Sequence, residues 1–144
     1  MKSEARLEDV FQVQLGDLFD AEKQIAEALP KMIAQASSEE LAGALQGHLD
    51  QTKEQLTRLE VIFGRAREQP GSARCEGMQA LIQEGEKSIA ELKKSPALDI
   101  ALITAACKVE HYEIASYGAA CALAQTLGQQ DAFDLLQHQR FQAV

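Results

Sequence analysis

The sequence predicts an all-α fold: an antiparallel helical bundle with an additional short helix between the second and third long helices and a truncated last helix. Three observations carry this reading. Ala, Leu, Glu, Gln and Lys, all good helix formers, dominate the composition. The two-residue alternation of a half-buried strand is missing, while apolar residues recur at steps of three and four. Capping and turn residues then cut that pattern into a few long segments.

The first helix is expected from about Ser3 to about Gln35. Phe11, Leu15, Leu18, Ile25, Leu29 and Met32 fall on one face, leaving Asp9, Gln12, Gly16, Asp20, Lys23 and Glu27 on the outer one. Pro30 has no amide hydrogen to donate, which predicts a kink near the end. Ser37-Ser38-Glu39-Glu40 reads as a capping box, with Ser37 accepting from the third helical amide and Glu40 reaching back. The second helix runs from there through Leu41, Leu45, Leu49, Leu56, Leu59 and Phe63 to about Arg67, and Gln69-Pro70-Gly71-Ser72 closes it. A shorter helix from about Cys75 to Lys93 carries Met78, Leu81, Ile82, Ile89 and Leu92. Ser95-Pro96 opens the third long helix, with proline at the first helical position where its missing amide is harmless. That helix extends to about Leu127, where Gly128 supplies the C-terminal cap. The last helix starts at an N-capping Asp131, carries Phe133, Leu135 and Leu136, and then loses its apolar period.

A single domain spanning residues 1–144 accommodates these elements, because no linker, repeat or low-complexity tract interrupts them. Apolar residues make up 46% and charged residues 25%, an ordinary globular balance. The net charge of −8 repels phosphate backbones, and no Lys/Arg cluster is interleaved with aromatics, so no nucleic acid partner is expected. No apolar run approaches the ~20 residues that cross a bilayer, and no membrane partner is expected. Cys75, Cys107 and Cys121 are widely spaced and odd in number, with no Cys-x-x-Cys pair and no secretory pre-sequence, which fits a cytoplasmic location. Cys107 and Cys121 lie in Ala-rich helical sequence and are expected as small core fillers.

Chemistry enters where polar residues interrupt the apolar faces. Glu22 takes a slot between Leu18 and Ile25 that the pattern reserves for an apolar side chain. The third long helix reads Ile103, Ala106, Glu110, Glu113, Tyr117, Ala120, Ala124 and Leu127 on its inward face, placing two glutamates three residues apart. The second helix offers Leu41, Leu45, His48, Thr52, Gln55, Leu59 and Ile62, with Gln51 at the edge of the face. Antiparallel pairing about a turn at Ala36-Ser37 sets Glu22 opposite Gln51 and within a turn of His48. Buried ionised carboxylates cost several kcal/mol each, about the size of a domain's whole stability. Compensation would come from a divalent cation, a buried Lys or Arg, protonation, or exposure to water. Carboxylate oxygens with one imidazole suit iron or manganese. His111 points away from this face, and Tyr112 and Tyr117 are expected to pack with hydrogen-bonded hydroxyls.

Leu18-Phe19-Asp20-Ala21-Glu22-Lys23-Gln24, the stretch from His48-Leu49-x-Gln51-Thr52 to Arg58-Leu59-Glu60, Cys75-Glu76-Gly77-Met78-x-x-Leu81-Ile82, and the run from Lys108 to Gly118 together resemble the YciE/YciF family. The resemblance covers about Leu7 to Leu136. It implies a ferritin-like fold, a stress-associated bacterial protein, a homodimer and a dinuclear iron or manganese centre with no organic cofactor. Glu22, His48, Gln51, Glu110 and Glu113 are the positions that such a site would use here. No catalytic residue is singled out.

Two departures bear on that centre. Ferritin-like di-iron bundles draw a Glu from each of two helices and a Glu-x-x-His from each of the others, and no Glu-x-x-His occurs in this chain. The last helix also passes into Gln137-His138-Gln139-Arg140-Phe141 and stops at Val144, about level with Glu113, so its wall of the site is expected to be missing. His138 lies about two turns away and is not expected to be a ligand. A short last helix uncovers apolar surface on its neighbours, which points to a homodimer. Two functions compete: a ferritin-like di-metal protein handling oxygen or peroxide, and a non-catalytic dimeric binding or assembly protein with a degenerate site.

Overall fold

Five helices form the computed structural model, which describes residues 6–142, with side chains described to Gln137. They are α1 (Leu7–Gln35), α2 (Glu39–Ala66), α3 (Glu76–Leu92), α4 (Pro96–Thr126) and α5 (Gln130–Gln142). The hairpins α1–α2 and α4–α5 pack lengthwise, α3 lies against α4 and α1, and α5 bridges α4 and α2. The expected all-α architecture with a short third helix is present, and among the described residues there is no strand. None of these helices is long and apolar enough to cross a membrane.

Helix ends follow side-chain chemistry, with one shift from the sequence reading. The α2 cap is Ser38, not Ser37, and its hydroxyl accepts from the Leu41 amide at 3.2 Å. Ser37 is drawn off by Asp99 in the first turn of α4. That carboxylate accepts from the Ser37 amide at 2.8 Å, the Ser37 hydroxyl at 3.1 Å and the Ser38 amide at 3.1 Å. One acidic side chain therefore ties the α1–α2 turn to α4, an attachment a local capping rule cannot see. Ser95 caps α4 through the Leu98 amide at 3.2 Å, with Pro96 just inside. At its other end Gly128 has φ +70, and the Gly128 and Gln129 amides reach back to Gln125 and Ala124. Helix α1 continues through Pro30 to Gln35.

The core has two apolar halves. Phe11, Leu15, Leu18, Leu59, Phe63, Tyr117, Ala124 and Leu136 fill the half covered by α5. Ile25, Leu29, Leu45, Leu49, Met78, Leu98 and Leu102 fill the half covered by α3.

Several expected placements are corrected. Ile103 is exposed and Leu98, Leu102 and Val109 point inward instead, because the first half of α4 is apolar all round and its period is ambiguous. Cys107 is exposed for the same reason, while Cys121 is buried as expected. Gly16 and Asp20 are not on a free outer face, since the α2–α3 loop covers them; a Cβ on Gly16 would sit 2.9 Å from the Pro70 carbonyl oxygen. Helix α5 starts at Gln130, one residue before the expected cap. The His138 side chain and residues 143–144 lie outside the described part of the chain, as does the start of the first predicted helix.

Candidate functional site

Between the two apolar halves, α1, α2 and α4 each place polar side chains in one layer. Glu22 comes from α1, His48, Thr52 and Gln55 from successive turns of α2, and Glu113 and Tyr117 from α4. Glu22, Thr52 and Tyr117 are fully buried, and Gln55 and Glu113 are 2% exposed. These are interior positions on each helix, so the side chains converge by the same period that buries the leucines beside them.

The layer is knitted by a few contacts. His48 Nε2 lies 3.2 Å from Glu113 Oε1, and Thr52 Oγ1 donates to the His48 carbonyl at 2.8 Å. The Gln55 amide belongs with its nitrogen toward the acids, since its oxygen would otherwise face two acceptors. So oriented, it donates to Glu22 Oε2 at 2.7 Å and to Glu113 Oε2 at 3.3 Å. Glu22 Oε1, His48 Nδ1 and the Tyr117 hydroxyl are buried and make no hydrogen bond of ordinary geometry among the described residues.

Electrostatics follow from burial. Desolvation, then the charge of and a hydrogen bond to Glu113, push Glu22 well above the ordinary carboxylate value, against a smaller opposing pull from Tyr117. Burial and the neighbouring Glu113 both favour the protonated form of Glu22. Burial disfavours the His48 imidazolium, but the hydrogen bond and charge of Glu113 and the charge of Glu110 together outweigh it and raise its pKa. Desolvation, then Glu22 and Glu113, push the Tyr117 phenol up, against Arg58, whose guanidinium pulls it down.

Of the expected site residues, the layer brings together Glu22, His48 and Glu113. Glu110 is half-buried beside them and acts on His48 through its charge. Gln51 is exposed and takes no part; Gln55, one turn further along α2, takes the place opposite Glu22. The offset arises because side chains on both antiparallel helices lean toward their own N-termini, so groups level at Cα do not meet at their tips. The inward face of α2 in the sequence already contained Gln55 and Thr52, and that was the signal for them.

The donors do not fit a dinuclear centre. Where a di-iron bundle would present Glu-x-x-His, α2 presents Gln55-x-x-Arg58, a neutral amide and a guanidinium. The amide nitrogen sits between the two carboxylates and donates to both. Among the described residues, no group of three or more His, Cys, Asp or Glu side chains is arranged to hold a metal ion.

A second polar cluster fastens the start of α3 to α1. Asp20 Oδ2 accepts from the Cys75 amide at 2.7 Å and from Gln24 Nε2 at 2.6 Å, and Gln24 Nε2 also donates to the Cys75 carbonyl at 3.1 Å. The Tyr112 hydroxyl donates to Asp17 at 3.3 Å and contacts Cys75 Sγ at 3.1 Å. Gly77 admits the Tyr112 ring, which a Cβ would meet at 2.8 Å. Burial pushes the Cys75 thiol up, so it is a packed group rather than a nucleophile.

Comparison with known proteins places this arrangement in context. The model of the family described as a domain of unknown function, DUF892, matches residues 6–143. The chain is 41% identical to Protein YciF of Escherichia coli K12 over 131 residues, which is 90% of this chain and 79% of that protein. The crystal structure of the E. coli stress protein YciF superposes with a TM-score of 0.92 at 38% identity, covering 97% of this chain and 89% of that one. YcfI of Rhodopseudomonas palustris, described as a candidate structural protein, also superposes with a TM-score of 0.92, at 36% identity over 96% of this chain and 88% of its own.

Proposed function

The chain belongs to the DUF892 family, and on that premise we propose that it is a YciF-like, stress-associated protein with a non-catalytic binding or assembly role, working as a homodimer in the cytoplasm. The reading is carried by the position of the Gln55 amide between Glu22 and Glu113, assigned with its nitrogen toward both acids because its oxygen would face two acceptors there. A retained proton, that amide and the His48 imidazole compensate the buried acids. The layer then acts as a polar register pin between two apolar halves. The description of the R. palustris relative as a candidate structural protein agrees with such a role. Ile100 and Ile103, 64% and 44% exposed on α4, offer apolar surface for a second copy.

A second reading rests on the buried Glu22 Oε1 and His48 Nδ1, both without hydrogen bonds. Glu22, Glu113 and His48, with Glu110 beside them, would hold one iron or manganese ion in exchange for the proton. Such an ion would supply redox chemistry on oxygen or peroxide, with Glu22 and His48 as the groups that fix its position.

Metal analysis and thermal unfolding with added iron(II) or manganese(II) separate the two. The binding-protein reading expects less than about half an equivalent of metal per chain and an unchanged melting temperature, because only a ligand of the native state raises it. One equivalent of metal, with a melting temperature raised in the native chain and unmoved in Glu22→Gln, overturns it. Light scattering should give twice the chain mass of 15.7 kDa, and a monomer removes the dimer from the proposal.

A further inference from the structure

The outer face of α4 lacks the charges that the outer faces of α1 and α2 carry. Lys23, Glu27 and Lys31 stand exposed on α1, and Lys53, Glu54 and Glu60 on α2. On α4 the arc that runs from Ile100 to Ala122, over about a third of the helix circumference, holds no Asp, Glu, Lys or Arg. Lys108 and Glu110 lie on its two flanks.

This stripe has a large half and a small half. Ile100 and Ile103 are 64% and 44% exposed, and Cys107 is exposed one turn further on. Beyond His111 come Ala115, Ala119 and Ala122, all exposed, with Gly118 among them. A Cβ on Gly118 would meet nothing within 4 Å among the described residues, so no contact inside the chain calls for glycine there. Glycine weakens a helix interior, and a face stripped to small side chains lets another helix approach closely.

The stripe is self-complementary. A two-fold interface brings residue i to j and j to i, so antiparallel copies of α4 set the large half of each against the small half of the other. With the axis at His111, Ile100 lies level with Ala122 of the partner subunit, Ile103 with Ala119 of the partner subunit and Cys107 with Ala115 of the partner subunit. A chain of net charge −8 repels its own copy, and an uncharged stripe is where that repulsion is least. Ile100 to Ala122 spans about 33 Å at ~1.5 Å per residue, and about a third of a helix's girth over that length covers roughly 500 Å² on each copy. Two such faces reach the roughly 1,000 Å² that a specific interface needs.

We infer that two copies of this chain pair through the outer face of α4, antiparallel about a two-fold axis at His111. The inference rests on the homodimer proposed above and adds the face and the register that build it.

Light scattering of the native chain and Gly118→Leu, with oxidation of Ala115→Cys, tests it. The native chain should give twice the mass of 15.7 kDa. Gly118→Leu puts a large side chain into space that is open in the single chain, so helicity should hold while the dimer dissociation constant rises at least about tenfold. Oxidised Ala115→Cys should yield a covalent dimer through the new thiol and Cys107 of the partner subunit. The oxidised native chain should stay unlinked, because its two Cys107 residues are about 12 Å apart along the axis, beyond disulfide reach. A dimer undisturbed by Gly118→Leu, or no more cross-linking in Ala115→Cys than in the native chain, overturns this interface and leaves the homodimer standing. A monomeric native chain overturns both, and the face then serves a different partner or none.

Discussion

Two polar clusters cross this bundle within a turn of each other on α1, and they are built on opposite principles. Asp20, Gln24, Cys75, Asp17 and Tyr112 are joined donor to acceptor, through the Cys75 backbone amide and carbonyl and through contacts between their side chains. Glu22, Gln55, Glu113 and His48 instead face acid toward acid, leaving Glu22 Oε1 and His48 Nδ1 unpaired. The first cluster stabilises by satisfying donors that folding takes from water. The second favours keeping a proton that an exposed carboxylate would release. Burying a carboxylate thus either fastens the fold or stores a charge-state preference, depending on whether its neighbours are donors or other acids.

The largest expected effect contrasts Asp20→Ala with Glu22→Gln. Removing Asp20 strands the Cys75 amide and should cost about 2–3 kcal/mol in urea unfolding, the range for a hydrogen bond to a charged group plus a buried donor left unmade. Glu22→Gln removes the acid-to-acid conflict and should leave stability at pH 7 unchanged or raised. Equal losses in the two variants would erase the distinction.

The pH dependence comes next. Glu22 and His48 both have native pKa values raised above their ordinary 4.5 and 6.5. The native state therefore holds more protons than the unfolded chain above those values, and stability must fall as pH rises. Glu22 contributes the fall from about pH 4.5 upward, and His48 adds to it above about pH 6.5, each by at most about 1.4 kcal/mol per pH unit. In Glu22→Gln the slope below pH 6.5 should vanish while that above remains. A melting temperature that climbs from pH 5 to pH 8 would refute the proton on Glu22.

The smallest effect separates the two tyrosines. Tyr112→Phe loses its contacts with Asp17 and Cys75 and should cost about 1 kcal/mol, whereas Tyr117→Phe gives up only the weaker pull of its hydroxyl on Glu22 and should cost less. Chemical unfolding of the two variants side by side sharpens or dissolves the contrast.

What the sequence exposed, and what it hid, follows the same division. Helix number and most helix ends were legible because Ser95-Pro96 and Gly128 act locally and the apolar period of α1 and α2 is sharp. Glu22 stood out because a charged residue filled an apolar slot. The inward face of α2 already held Gln55, with Gln51 only at its edge, but level pairing across the α1–α2 turn pointed to Gln51, because it ignores side-chain lean across two helices. Ile103 and Cys107 were misplaced because apolar residues surround the first half of α4, and period cannot choose a face there. Asp20 and Gly16 looked like outer-face residues until the α2–α3 loop, whose path no local rule predicts, came down over them. The left-handed Arg67, φ 54, at the end of α2 carried no signal at all, because glycine is the usual occupant of that conformation.

Infrared spectroscopy in deuterated buffer near neutrality reads the retained proton directly, through the carbonyl stretch of an un-ionised carboxyl group. The native protein should show that band and Glu22→Gln should lack it. A native spectrum containing ionised carboxylates alone would contradict the account.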